Sequence, residues 1–89
     1  MKVRKHMIVH GRVQGVGFRY RAFQIAQELE LHGTVENLQN GDVELHVQGE
    51  ESLIDTFIDQ LQEDSYIRID SIESETVECM CETGFQIRM

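Results

Sequence analysis

Val43, Leu45 and Val47 alternate with Glu44, His46 and Gln48. A period of two is that of a strand, and it predicts a sheet with one face on a core and the other in water. Any helices in the chain must then share the apolar face. Two stretches have the helical period. Ala22, Ile25, Ala26 and Leu29 recur with helical spacing, and Phe23 widens their stripe. Leu53, Ile54, Phe57, Ile58 and Leu61 repeat the pattern. The spacing predicts a first helix over Arg19–Glu30, broken by Gly33, and a second from Ser52 to the polar segment Glu63-Asp64-Ser65.

The remaining segments have strand character. Val3, Met7 and Val9 alternate with Arg4, His6, Ile8 and His10, with Lys5 breaking the apolar face. Thr34–Leu38 forms a further strand, and Asn40-Gly41 predicts a tight hairpin turn into the strand at Val43. Ile67, Ile69, Ile72 and Val77 belong to another, whose change of parity between Ile69 and Ile72 predicts a bulge. Phe85 and Ile87 suit a short closing strand after Gly84. The order is β-α-β-β-α-β with an optional last strand. It defines an α+β class chain, a ferredoxin-like sandwich with an antiparallel sheet and two helices on one face. The 89 residues are expected to form one domain.

Net charge is −8, which argues against a nucleic-acid partner. Its distribution is uneven. Lys2, Arg4, Lys5, Arg12, Arg19 and Arg21 all precede Glu28, the first acidic residue, and only Arg68 and Arg88 follow it. The expectation is a local positive site in an acidic body, able to attract small anions and repel polyanions. No apolar run approaches the ~20 residues of a membrane helix, so no membrane partner is expected. The basic, strand-like start has no signal-peptide core, which makes the cytoplasm the default location. A monomer is expected. Cys79 and Cys81 flank Met80 without a second ligand pair, and two reduced thiols near a strand end fit better than a metal site. His6, His32 and His46 show no metal-ligand spacing.

Three glycines and a terminal arginine lie where the first strand passes into the first helix, in His10-Gly11-Arg12-Val13-Gln14-Gly15-Val16-Gly17-Phe18-Arg19. Glycine lets successive N–H groups turn to one side, where they form an anion-binding concavity next to a helix N-terminus. Arg19 grips phosphate oxygens bidentately in such a place, where a cation would otherwise oppose the helix dipole. Residue types alone leave two readings open: a phosphoryl cradle, or a tight strand-to-helix connection. The spacing is neither a Walker A loop nor a dinucleotide fingerprint.

The segment Gly11–Arg19 resembles the signature of the acylphosphatases, small enzymes that hydrolyse the mixed anhydride of acyl phosphates. A second block of that family is matched by Gly33-Thr34-Val35-Glu36-Asn37-Leu38 followed by Asn40-Gly41-Asp42-Val43-Glu44, with Ala26, Leu29 and Leu31 between. Thr34 stands where an aromatic residue is common, Glu30 where glycine is common, and Glu36 where a basic residue is frequent. The resemblance implies that Arg19 binds phosphate and that Asn37 orients the attacking water. It implies small acyl phosphates and inorganic phosphate as ligands, and no cofactor or metal.

Topology agrees with that reading. A right-handed crossover puts the first two strands parallel, with the third between them, so both end at one sheet edge. Arg19 and Asn37 can then face one pocket. The amides of Gln14, Gly15, Val16, Gly17 and Phe18 join Arg19 in holding the phosphoryl group. Arg12, Arg21 and His10 fit supporting or surface positions. A non-catalytic anion sensor would share the cradle, but it has no need of a water-orienting amide. An RNA-binding sheet would show aromatics where Glu44, His46 and Gln48 stand. A related segment within larger carbamoyl-transfer proteins is a further alternative.

Overall fold

Alternation and helical stripes both emerge in the folded chain, described over residues 1–89 by a computed structural model. The elements are β1 (Lys2–Arg12), α1 (Phe18–Glu28), β2 (His32–Asn37), β3 (Val43–Glu50), α2 (Glu51–Gln62), β4 (Arg68–Val77) and β5 (Phe85–Arg88). They form one sheet in the order β4-β1-β3-β2-β5. β1 runs antiparallel to β3 and β4, and β2 antiparallel to β3. The optional closing strand forms as β5 and pairs in parallel with β2. No helix is long and apolar enough to cross a membrane.

The core lies between the sheet and both helices. Met7, Val9, Val35, Val43, Leu45 and Val47 meet Ala22, Ile25, Ala26, Ile54, Phe57 and Leu61 there. The predicted bulge is present. His10 pairs with Ser71 and Gly11 with Ile69, which leaves Asp70 as the extra residue.

Several boundaries differ from the sequence-based expectation. α1 starts at Phe18 and ends at Glu28 rather than running over Arg19–Glu30. Its stop is not Gly33. Glu30 adopts φ 56°, and the Leu31 N–H donates back to the Ala26 carbonyl at 2.8 Å. This is a Schellman-type turn made with a residue that has a Cβ. Gly33 lies inside β2 instead, where an added Cβ would sit 1.7 Å from the His46 carbonyl oxygen. β2 covers His32–Asn37 rather than Thr34–Leu38. The hairpin is wider than an Asn40-Gly41 two-residue turn. The Leu38 N–H donates to Asp42 O at 2.9 Å and the Gly41 N–H to Leu38 O at 3.3 Å, so the turn spans Gln39–Gly41 with Gly41 at φ 98°.

The second sheet face is not simply solvated. Gln48, expected in water, is 0 % exposed, and Arg4 is 4 % exposed. The segment between β4 and β5 covers them. Gln48 donates to the Met80 carbonyl at 2.8 Å and accepts from the Met80 N–H at 2.7 Å. Arg4 donates to Glu82 at 2.6 Å. Cys79 and Cys81, in the same segment, are exposed free thiols.

Candidate functional site

Gly15 and Gly17 have φ of 73° and 80°, left-handed values that favour glycine. Nothing lies within 4 Å of an ideal Cβ at either, so conformation and not crowding explains them. They coil the chain into a tight turn between β1 and α1. The first helical bond of α1 runs from the Arg21 N–H to Gly17 O at 3.0 Å. The N–H groups of Phe18, Arg19 and Tyr20 therefore have no acceptor within the helix. The dipole of α1 adds positive potential at the same end.

A pocket of about 350 Å³ opens against this turn. Gly15, Gly17, Arg19 and Asn37 form its polar part, and Val13, Phe18, Tyr20, Ile87 and Met89 its apolar wall. Arg19 and Asn37 thus line one pocket, as the topology predicts. Arg19 makes no ion pair. Its Nη1 donates to the Arg88 carbonyl at 3.3 Å and to the Met89 sulfur at 3.8 Å. Asn37 ends β2 opposite Val43, and its Oδ1 is buried without a hydrogen-bond partner in the protein. Leaving such an acceptor unpaired costs ~1–3 kcal/mol.

Gln14 and Val16 lie outside the pocket lining. Val16 packs against the core. The Gln14 amide donates to Leu38 O at 2.7 Å and to Asp42 O at 2.8 Å. It ties the cradle to the hairpin that follows Asn37. Of the apolar wall, Tyr20 could have been found by its place after Arg19. Ile87 and Met89 arrive through the β2–β5 pairing, for which no local pattern exists.

The expected gathering of positive charge around the cradle does not occur. Arg4 is buried with Glu82, Lys5 lies 3.7 Å from Glu51, and Arg21 4.0 Å from Asp64. Arg12 is exposed outside the pocket lining. Arg19 supplies the cationic side chain in the lining. Nearby, His10 bonds Glu73 at 2.5 Å and lies 3.0 Å from Asp42, and these carboxylates raise its pKa above the ordinary 6.5. On the open sheet face, a 2.8 Å bond to Glu44 raises that of His6. Burial pushes that of His46 down.

The profile of the Acylphosphatase family matches residues 5–87. The chain belongs to the acylphosphatase family. An acylphosphatase of Treponema denticola is 39% identical over 85 residues, covering 94% of this chain and 90% of that protein. That of Moorella thermoacetica is 39% identical over 87 residues, covering 97% and 94%. The crystal structure of acylphosphatase from Bacillus subtilis superposes with a TM-score of 0.90 at 30% identity, over 100% of both chains. Full-length HypF in its phosphate- and nucleotide-bound form contains a similar unit, with a TM-score of 0.89 at 36% identity over 12% of its length. Family membership supports acyl phosphate hydrolysis as the activity and small acyl phosphates as the substrate class. The departures from the acylphosphatase pattern avoid the pocket lining. Thr34 pairs with His46 and Glu36 with Glu44 across β2 and β3, and Glu30 forms the turn that follows α1.

Proposed function

We propose that the chain hydrolyses acyl phosphates without a metal, with Arg19 and the 14–19 loop amides holding the phosphoryl group and Asn37 aiming the water. The reading rests on one observation. An arginine without a carboxylate partner and a buried amide oxygen without a hydrogen-bond partner share a pocket at a helix N-terminus.

The chemistry needs little else. In the loose transition state of phosphoryl transfer, charge spreads over the equatorial oxygens, and catalysis is positioning plus electrostatic stabilisation. Arg19 and the amides of Gln14, Gly15, Val16, Gly17 and Phe18 are suited to that charge. Asn37 Oδ1 accepts an O–H of the water and fixes a lone pair toward phosphorus. The water oxygen–phosphorus bond forms as the phosphorus–carboxylate oxygen bond breaks. The bond electrons leave on the carboxylate, and the water proton passes to a phosphate oxygen. Tyr20, Ile87 and Met89 offer the acyl group an apolar wall.

Asn37→Ala separates hydrolysis from anion binding. Loss of a contact made mainly in the transition state lowers kcat by ~10²–10³. Inorganic phosphate should inhibit the folded variant almost as it inhibits the parent, and turnover of the parent should persist in excess chelator. Parental turnover by a folded Asn37→Ala protein defeats the water-positioning role. A parent that binds phosphate but hydrolyses no acyl phosphate favours an anion sensor. Activity lost on chelation and restored by a divalent ion overturns the metal-free reading.

A further inference from the structure

His6 and His46 are forty residues apart in sequence yet directly opposite each other in the β1–β3 ladder. Their rings stack with centroids 4.6 Å apart and planes 19° from parallel. Glu44 lies on the same strand and face as His46, as residues two apart in a strand do. One ligand atom from each of the three side chains lies within 4.8 Å of the others. All three are half-buried, so their heads are fixed by the sheet but open to solvent. None lines the pocket at Arg19.

We propose that His6, Glu44 and His46 form a binding site for a borderline divalent transition-metal ion of the Zn²⁺ or Ni²⁺ kind on the open face of the sheet. Two imidazoles and one carboxylate suit these ions. Mg²⁺ and Ca²⁺ prefer oxygen ligands, of which the trio supplies only one residue. Neighbouring ligand atoms on a tetrahedral ion at ~2.0–2.1 Å lie ~3.3 Å apart. His6 Nε2 and Glu44 are already 2.8 Å apart, and a rotamer change at half-buried His46 brings its ring in. Carboxylates outnumber cations around the trio, and the one guanidinium that acts on His46, that of Arg4, is paired with Glu82. Glu75 lies 3.2 Å from His6 Nδ1, Glu36 pairs with Glu44, and Glu73 pairs with Ile8 in the adjoining register. Glu75 on Nδ1 leaves Nε2 to face the ion, the arrangement by which a carboxylate orients a metal-bound histidine.

The ion would join β1 to β3, so metal binding and thermal stability should rise together. The test uses tag-free protein, with Zn²⁺, Ni²⁺ and Mg²⁺ each titrated by calorimetry and by thermal melt. One equivalent of Zn²⁺ or Ni²⁺ should bind and raise Tm, with Mg²⁺ inert. His46→Asn should fold and weaken binding by more than about tenfold, since even loss of a group that only orients a ligand costs ~10–100-fold. Cys79→Ser/Cys81→Ser should bind as the parent does, which separates this site from the exposed thiols. Nitrogen hyperfine coupling to bound Cu²⁺ should fall from that of two imidazoles to that of one in His46→Asn. Lack of binding by the parent, binding indifferent to His46→Asn, or binding lost with the cysteines would each overturn the site. None of these readouts depends on acyl phosphate turnover.

Discussion

Arg4 and Arg19 come from the same basic stretch of sequence, but they meet opposite fates. Arg4 is buried, bonded to Glu82 at 2.6 Å and close to Gln48 Oε1 at 3.4 Å. Arg19 is half-buried, and its contacts are a carbonyl and a thioether with no carboxylate. A cation closed in by its partners holds structure together. One left without a counter-charge at a helix N-terminus retains its field for a ligand. The difference lies in what the fold brings beside each guanidinium and not in the residue type.

The largest effect should come from breaking the Arg19 side of this pair. Arg19→Ala loses charge-assisted contacts worth ~1.5–3 kcal/mol each, so kcat/KM should fall by about 10²–10⁴. Phosphate inhibition should vanish with it, while the melting transition stays near that of the parent. Near-normal inhibition in the folded variant defeats the assignment. Arg4→Ala should do the reverse. It strands Glu82 and removes a donor from a buried cluster, costing about 2–4 kcal/mol of stability in a denaturant titration. Activity per folded molecule should hold. A stability loss confined to Arg19→Ala would invert the comparison.

The smallest effect sharpens the reach of the Arg4 field. In metal-free protein, His46 should titrate below 6.5 by nuclear magnetic resonance, chiefly from burial, with the charges of His6 and Arg4 helping. His10 should titrate above it because of Glu73 and Asp42. The signs follow from linkage. The contribution of His10 is full below the unfolded pKa and fades as pH rises through its raised folded value. His46 binds its proton less well when folded, so it lowers stability as pH falls through the unfolded pKa. In Arg4→Ala the His46 midpoint should rise slightly.

The element order was legible because apolar period reports which side of an element meets the core. The bulge at Asp70 was legible as a parity change, and the shared pocket of Arg19 and Asn37 followed from one right-handed crossover. Burial of Gln48 was not. Its place in an alternating strand says water, and the cover over it is an irregular segment with no period. The stop of α1 is hidden from the sequence for a related reason: the left-handed residue is Glu30, which costs ~1–2 kcal/mol more there than glycine, while Gly33 serves close strand approach. The His6–His46 contact depends on register between distant strands, which spacing along the chain does not encode.

Gln14 donates to carbonyls on both sides of the hairpin, at Leu38 and at Asp42. Its consequence is temporal. The cradle and the strand end bearing Asn37 cannot loosen independently without abandoning two hydrogen bonds. Their amides should exchange with deuterium through one shared opening, and the order both need is established at folding instead of at each turnover.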